Sequence, residues 1–478
     1  MPPDTPPIDI KTPQSGVLIR AENGDVVTFD ATGLTLRLSD SVVAELRQRL
    51  GLAGEAEGPL DVAERLGDVD AWDLRRIGDW LHFTALLDPD GPARGYQRPL
   101  AGGDVIAAAP GPLYGLLSLG GARRAGFNAG PATFAHHVLA PGDDIGAVGA
   151  EGTAEVAASG LLQHIPHRTR DALLADVLLG WRRAARRGLP LFMVRTETDG
   201  SSSPSALGQG LAYRNFLAAL DSLVAAAKAL GKRAQVLSIG LDFSLEDQTS
   251  DAAAYATGVR ALMGQIERDM AMRGLQRPHF LMTAEAGTQS ISTHQAMPGQ
   301  WELAWSHGDH SFAFSAPGYM FEQTRFGRPT ETARQRMAEM DAHALVALTN
   351  RQEWLCPLFL LAEYQRHEVR VTARAMGELV IDRGLTGDPA CGFSLSGTEA
   401  RIIAVQVAED DTQALILTCD RVPEGADLHY AYGAPPSADA FPANRGAIRD
   451  GWSSESQAGG PLHRWALPAV LTVRRGAD

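Results

Sequence analysis

The sequence predicts an α/β protein with a parallel sheet, preceded by an N-terminal region and followed by an all-β module. Apolar runs at residues 191–194, 235–240 and 279–283 alternate with amphipathic helical patterns. Strands and helices that alternate at these lengths are typical of a parallel sheet with right-handed crossovers. From residue 368 onward the pattern changes to short apolar strands separated by turn residues, which is typical of a β-sandwich or jelly roll.

The N-terminal region is assigned to residues 1–100. Alternating stretches at 17–20 and 25–29 predict a β-hairpin, and a third strand is expected at 34–38. Ser39 or Asp40 could cap a short helix that reaches Leu50, followed by a Gly-, Ala- and Glu-rich linker. Such a leading module is expected to attach the protein to a partner, although a simple extension of the core is the alternative.

The α/β domain is assigned to residues 101–367 and the β module to residues 368–478. A short strand at 104–109 is expected to lead into a glycine-rich turn at 115–121. Beyond the three strands named above, the patterns predict an amphipathic helix at 170–187, helices around 213–230 and 255–270, a helical segment at 301–305, a strand at 312–314, a helix after Pro329, and a loop at 443–459 before a strand at 469–473.

Composition limits the function classes. The chain carries 43 Lys and Arg against 57 Asp and Glu, a net charge of -14, which argues against nucleic acid as the main partner. No apolar run approaches the length of a membrane span, and the N-terminus lacks the features of a Sec signal. Cys356, Cys391 and Cys419 are too widely spaced for a zinc knuckle or a disulfide framework, so buried thiols are expected. We expect no cofactor and no metal.

The functional site is expected where the parallel strands end, because ligands of such sheets bind outside the carboxyl ends of the strands. The loops that follow the three central strands begin at Thr196, Leu241 and Ala284.

Several segments occur in an order that resembles a known family. They are the glycine-bearing loop at 199–210, the strand and turn at 313–319, the segment at 354–358, and the β-module pieces at 392–393, 430–433 and 445–450. Together they resemble the SGNH hydrolase superfamily, in particular its sialate O-acetylesterase-like branch, over roughly residues 111–465. The resemblance implies a three-layer α/β core with a parallel sheet and a jelly-roll-like module.

The resemblance also implies a catalytic triad, and the matching positions here do not carry it. The serine nucleophile falls on Leu117, with Ser118 one residue late. The aspartate and histidine of the Asp-x-x-His block fall on Arg325 and Arg328. Leucine cannot attack an ester and arginine cannot act as a base, so the resemblance implies a pseudo-esterase without catalytic residues.

A binding role would use the glycine and polar positions of the same cleft. The candidate ligand-binding residues are Gly115, Ser118, Asp199, Gly200, Gly208 and Asp242.

Our main functional hypothesis is a structural spike or fibre of a phage-like particle, either a phage or a gene transfer agent. It would bind host cell-surface or capsular polysaccharide, dock onto capsid, base or tail proteins through its N-terminal region, and form a homo-oligomer. It would then lie on the particle surface and be released without a Sec signal; otherwise a cytoplasmic location is expected.

The alternative is an active carbohydrate O-acetylesterase that uses Ser118 with His307 or His310. The segment 307–310 could instead supply metal ligands or form a polar surface turn, and the polar turn is the simpler interpretation. A third hypothesis is a purely structural particle component without a ligand.

Overall fold

The structure is a computed structural model that describes residues 16–20, 26–30, 33–37, 42, 66, 69–87, 91–324 and 326–476. The chain divides into two compact units, residues 1–68 and 69–478. The smaller unit contains an antiparallel sheet of β1 (Gly16–Arg20), β2 (Val26–Asp30) and β3 (Gly33–Arg37). The predicted hairpin and third strand are therefore confirmed, whereas the helix expected before Leu50 lies almost wholly outside the described residues.

The larger unit begins with a four-stranded antiparallel sheet. Its strands are β4 (Ala71–Ile77), β5 (Trp80–Ala85), β6 (Arg94–Pro99) and β7 (Ile106–Ala107). These strands belong to the same compact unit as the α/β core, so the division between the units lies well before the expected boundary at residue 100. The outermost strand, β4, is mostly exposed and carries charged residues, so it lacks the alternation that marks a strand in a sequence.

A seven-stranded sheet forms the centre of the larger unit, in the order β11-β10-β13-β8-β14-β15-β16. Its strands are β8 (Leu113–Gly121), β10 (Val138–Pro141), β11 (Leu162–His164), β13 (Leu191–Asp199), β14 (Ala234–Gly240), β15 (His279–Ala284) and β16 (Phe312–Pro317). All neighbours are parallel except β11, which is antiparallel to β10. A two-stranded sheet of β9 (Phe127–Ala129) and β12 (His167–Thr169) lies beside it. The predicted parallel α/β sheet is confirmed.

The glycine-rich turn expected at 115–121 is wrong, because these residues lie within β8. Gly115 is a packing position: a Cβ there would lie 2.8 Å from Leu223 Cδ2. Gly115 therefore permits the close approach of a side chain to β8, although a glycine in the sequence also suggests a turn.

Within the described residues from 69 onward, six helices accompany the strands. They are α1 (Arg170–Ala184), α2 (Pro204–Leu207), α3 (Leu211–Ala229), α4 (Ala252–Met272), α5 (Ala296–Trp305) and α6 (Glu331–Thr349). Thr169, Asp251 and Thr330 cap α1, α4 and α6 through their side chains, and 3-10 turns follow β8 and β16. Gly115 faces α3, whereas its neighbour Leu116 joins the apolar core that contains α1 and α6. Because successive strand residues point to opposite faces, helices cover both faces of the sheet.

The strand order places the site. From β8 the sheet grows toward β13 and β10 on one side and toward β14, β15 and β16 on the other. In an open parallel sheet such a reversal opens a crevice at the carboxyl ends of the strands. The crevice here lies after Gly121 and Gly240, where β8 and β14 end.

The C-terminal module has a seven-stranded sheet in the order β20-β23-β26-β17-β18-β22-β21 and a three-stranded sheet in the order β19-β24-β25. Its strands are β17 (Leu358–Gln365), β18 (Glu368–Arg374), β19 (Leu379–Ile381), β20 (Phe393–Ser396), β21 (Ile402–Val407), β22 (Ala414–Cys419), β23 (Asp427–Tyr430), β24 (Ile448–Glu455), β25 (Pro461–Trp465) and β26 (Ala469–Arg475). The additional strand-rich module is confirmed, although its sheet begins with β17, before the expected start at 368. The prediction of a loop at 443–459 is wrong, because this segment contains β24. The C-terminal half of β24 is largely polar and accessible.

One apolar core joins the α/β sheet to the module, because buried residues of α1, α6, β16 and the module strands form a single cluster. Cys356, Cys391 and Cys419 are buried free thiols, as predicted. Within the described residues, no helix is both long and apolar enough to cross a membrane.

Candidate functional site

A pocket of about 690 Å³ lies at the carboxyl ends of β8, β14 and β15. Its polar lining consists of Arg123, Arg124, Arg170, Arg334, Asp242, Ser244, Glu246, Thr283, Glu285 and Gln323. Its apolar lining includes Phe321, Pro329 and Met337. The loops expected to begin at Leu241 and Ala284 therefore do form a site.

Two glycines allow the pocket to close around β8. A Cβ at Gly120 would overlap the carbonyl oxygen of Asp242, and a Cβ at Gly121 would overlap the carboxylate of Glu246. With hydrogen atoms in place of side chains, the loop after β14 packs directly on the end of β8. The 3-10 turn that follows then directs Arg123 and Arg124 into the crevice.

Arg124 is buried and binds three groups from different elements. It donates to Asp242 Oδ2 at 2.7 Å, to Asp171 Oδ1 at 2.9 Å and to Ser118 Oγ at 2.8 Å. Burial opposes the charge of Arg124, but Asp171 and Asp242 outweigh it and raise its pKa. The guanidinium therefore remains charged.

Arg170, the first residue of α1, forms the second buried guanidinium. It makes two hydrogen bonds to the carboxylate of Asp341 on α6, both at 2.5 Å. It also donates to Asp242 Oδ2 at 2.9 Å and to Thr283 Oγ1 at 2.7 Å. Burial alone would favour a neutral Asp242, but Arg170 and Arg124 outweigh it and hold the pKa of Asp242 below its usual range.

A third group lies nearer the pocket mouth. Arg123 donates to Glu285 Oε2 and to Ser244 Oγ, and Ser244 donates to the same Glu285 oxygen at 2.5 Å. Glu285 also accepts from the backbone N–H of Gly287 at 2.7 Å. Burial would raise the pKa of Glu285, but the charge of Arg123 outweighs it and lowers that pKa.

The lining of the pocket combines charged and polar groups with a few apolar side chains. No histidine lines it among the described residues. Neighbouring guanidiniums lower the pKa of Asp242 and of Glu285, which makes these two carboxylates weak bases, and the guanidiniums themselves cannot accept a proton. The Ser244 hydroxyl donates to an ionised carboxylate already bonded to Arg123, and the residue that follows β8 directly is Ala122. Among the described residues that line the pocket, the serine hydroxyl is therefore bonded to Arg123 and Glu285 and not to a histidine.

Ser118 lies beneath the pocket, fully buried in β8. Its hydroxyl donates to Asp171 Oδ1 at 2.8 Å and accepts from Arg124. Leu117 is also a buried residue of β8, so neither residue forms the turn expected for a nucleophile. Arg325 lies outside the described residues, and Arg328 is exposed and does not line the pocket.

The pairing of Ser118 with His307 or His310 is wrong on geometry. Ser118 is in register with Gly240, Leu281 and Ala313 across three strand spacings. His310 precedes Ala313 by three residues, so it lies about 14 Å across the sheet and about 10 Å toward the opposite edge. Both histidines instead line a separate cavity with Phe312 and Trp354. The described residues contain no cluster of three or more metal-ligating side chains.

Of the six candidate ligand-binding residues, Asp242 alone lines the pocket. Gly115 packs against α3, and Gly208 packs against Gln265 of α4, which donates to its carbonyl oxygen at 3.0 Å. Asp199 accepts from the backbone N–H of Ser201 at 2.8 Å, and Gly200 adjoins it in the loop after β13. These positions lie outside the pocket lining.

The arginines that dominate the site are not predicted by the sequence patterns. Arg123 and Arg124 follow a Gly-Gly pair, and a basic pair in a sequence normally indicates a solvated surface. Arg170 was assigned to a helix without a role. The feature of the sequence that could identify site residues is their position after a strand. Asp242, Arg123 and Glu285 all come within two residues of a strand end.

No protein-family model matches this chain. No curated protein matches it either. Among solved structures it is similar to a carbohydrate acetylesterase from Xanthomonas citri, with 15% identity, a TM-score of 0.48, and coverage of 76% of this chain and 86% of that chain. It is also similar to the structure of NanS, with 11% identity, a TM-score of 0.34, and coverage of 51% of this chain and all of that chain.

Proposed function

We propose that this chain is a non-catalytic polysaccharide-binding protein, a spike or fibre of a phage or gene transfer agent whose esterase-like domain has lost its triad. The observation that carries the proposal is the pocket at the ends of β8 and β14. It combines a polar cavity with a closed guanidinium–carboxylate network, and its described lining contains no histidine. Such a pocket can bind a ligand without catalysing its hydrolysis.

A carbohydrate suits this lining. Sugars present many hydroxyl groups that both donate and accept, and the pocket offers charged donors and acceptors beside the apolar walls of Phe321 and Met337. Arg334 adds a cation at the rim. Its guanidinium donates to the uncharged oxygens of Asn128, Pro329 and Phe127, so none of these bonds neutralises it.

The role on a particle rests on the resemblance of the sequence to esterase-like spike domains and on the separate unit of residues 1–68. In this proposal that unit docks onto capsid, base or tail proteins, and the larger unit faces the bacterial cell surface. Particle components of this kind are usually symmetric oligomers.

The test compares binding with hydrolysis on the purified full chain. Isothermal titration with capsular polysaccharide fragments should show saturable binding, and p-nitrophenyl acetate and acetylated polysaccharide should be hydrolysed no faster than in buffer. Replacing Arg334 with Ala should weaken binding at least tenfold. Arg268→Ala, which removes an exposed arginine of α4 outside the pocket lining, is the matched control.

Two results would overturn the proposal. One is ester hydrolysis that disappears in Ser244→Ala, which would make the pocket an active site. The other is the absence of saccharide binding by the full chain, which would leave a particle component without a ligand.

A further inference from the structure

Two more cavities are related to the pocket through the segments that line them: the second uses the same loop as the pocket, and the third has Tyr432 in common with the second. The loop after β14 contributes Ser244 and Glu246 to the pocket and Asp247, Gln248 and Ser250 to a cavity of about 620 Å³ beyond it. Tyr432 of the β module lines that second cavity and also a third one of about 1070 Å³. One loop therefore lines both the pocket and the second cavity, and one tyrosine lines both the second and the third cavity.

We infer that the second and third cavities form a carbohydrate subsite centred on Tyr432, which holds neighbouring sugars of the chain whose first residues occupy the pocket. The inference rests on the proposed function for its ligand class. It adds that the β module takes part in binding and that the ligand is a polymer several residues long.

The aromatic residue is placed as a platform. Tyr432 is half-buried, with its ring held edge-on against His429 at a centroid distance of 5.3 Å. Tyr432 lines both the second and the third cavity. A fixed, amphipathic ring with a polar tip is suited to the mixed apolar and hydroxylated faces of a sugar.

The loops around Tyr432 are held in place before any ligand binds. Asn444 donates to the carbonyl oxygens of Ala286 at 3.0 Å and Ser292 at 2.8 Å, and it accepts from the backbone N–H of Ala434. Backbone hydrogen bonds also join Gly433 to Ser292. A pre-ordered site loses less conformational entropy on binding, so this cross-linking favours a ligand site.

The second cavity presents polar groups with spare hydrogen-bonding capacity. The Nδ1 atom of His294 accepts from the backbone N–H of Ala296 at 3.1 Å, so the neutral ring carries its proton on Nε2 and can donate. Asp247 is 3% exposed; its Oδ1 accepts two backbone N–H groups, whereas its buried Oδ2 has no hydrogen-bond partner. A buried carboxylate oxygen without a partner is costly, and a sugar hydroxyl that reached it would remove that cost.

The third cavity supplies basic groups. It is lined by Arg383 and Arg445, and Arg445 is fixed by Asp439 at 2.7 Å and Ser437 at 3.1 Å. Arg383 is exposed and makes no salt bridge with any described residue. A ligand with an acidic sugar at this end would gain a charge-assisted hydrogen bond.

Chain length provides the test. Saccharides of two, four and eight residues, prepared from one capsular polysaccharide, are titrated into the full chain. We expect affinity to rise at least tenfold from two to eight residues. Tyr432→Ala should abolish this gain without changing the affinity for the disaccharide, and Tyr432→Phe should keep most of it, because the ring remains. Trp305→Ala removes another exposed aromatic side chain, outside all three cavities, and should behave like the wild type.

A second readout follows binding to the wild-type sequence and uses one conservative variant only to assign a signal. The chain has 8 tyrosines, and labelling with 3-fluorotyrosine gives each a ¹⁹F signal, with that of Tyr432 identified by its loss in Tyr432→Phe. The octasaccharide should shift this signal and the disaccharide should leave it in place.

The outcomes separate the two proposals. If Arg334→Ala weakens binding but affinity does not depend on length or on Tyr432, the subsite is refuted and the proposed function stands. If Tyr432→Ala weakens octasaccharide binding but Arg334→Ala does not, the second and third cavities bind the saccharide, whereas the pocket as the binding site and the continuity of the subsite with it are both refuted. If no saccharide binds, both proposals fail.

Discussion

At the scale of single residues, the site is governed by charges that share partners. Arg124 and Arg170 both donate to the same oxygen of Asp242, at 2.7 and 2.9 Å. Two buried guanidiniums at one carboxylate repel each other, and the arrangement is stable because Asp171 and Asp341 supply one further negative charge for each. The network therefore depends on all of its carboxylates.

Replacing Asp242 with Asn should destabilise the protein by about 3 kcal/mol, since it leaves two buried guanidiniums short of one counter-charge. Urea unfolding followed by circular dichroism measures the loss. Asp221→Asn breaks an ion pair whose carboxylate is 48% exposed and should cost less than about 1 kcal/mol. Equal costs for the two variants would contradict the account of the network.

Glu197 is a buried acidic residue that lies outside the pocket. Burial raises the pKa of Glu197 to about 7, although Arg195 partly opposes this. Arg195 already pairs with Asp143, so one guanidinium lies between two carboxylates and one of them is in excess when both are ionised.

The excess negative charge beside Arg195 predicts that the stability of the folded protein depends on pH. The folded state holds a proton on Glu197 that the unfolded state releases above its ordinary value of 4.5, so stability is lost as the pH rises from 4.5 to about 7. Glu197→Gln should remove this loss and be more stable than the wild type at pH 8 by about 2 kcal/mol, with little difference at pH 4. Thermal unfolding at a series of pH values measures it, and a constant difference between the two proteins would refute the assignment.

At the scale of elements, the contact between α6 and the module includes a cluster of aromatic rings. His343 of α6 lies between Trp181 of α1 and Trp452 of β24, with ring centroids at 4.7 and 5.0 Å. Trp354 stacks on the other side at 6.2 Å. Burial lowers the pKa of His343 to about 4, so the ring is neutral at ordinary pH.

His343 should affect the pH dependence of folding stability in the opposite direction to Glu197. The unfolded state gains a proton on His343 below its ordinary value of 6.5 while the folded state does not, so stability is lost as the pH falls from 6.5 to about 4. His343→Gln should flatten the acid limb of the stability curve, and the double variant with Glu197→Gln should show neither slope. An acid limb that is unchanged in His343→Gln would contradict this.

The same scale shows what the sequence can predict. The strands at 191–194 and 279–283 were predictable because buried parallel strands are continuous apolar runs. Strand β8 was missed because Gly115 serves packing against Leu223, and β24 because its outer half is polar. The site could be located at the strand ends, but its ion pairs join residues up to 171 positions apart, and no local pattern encodes them.

At the scale of the whole molecule, the α/β domain and the β module should unfold together. Their apolar cluster is continuous, and buried hydrogen bonds cross between them, from Trp354 Nε1 to Ser315 at 3.1 Å and from Tyr319 to Ala466 at 2.5 Å. Calorimetry should show one transition for residues 69–478, with equal calorimetric and van't Hoff enthalpies. Two resolved transitions, one of them assigned to the module by its tryptophan fluorescence, would contradict this.

The strand order of the module has a consequence for synthesis. Strand β26 lies at the centre of the seven-stranded sheet, with β17 on one side and β23 on the other. A nascent chain can thus pair β17 with β18 and β22, and β23 with β20, but these two halves remain open toward each other until Ala469–Arg475 has left the ribosome. Until then the edges of β17 and β23 that β26 will cover remain exposed, and chaperones and proteases can bind them. The sheet is therefore completed only after β26 has been synthesised.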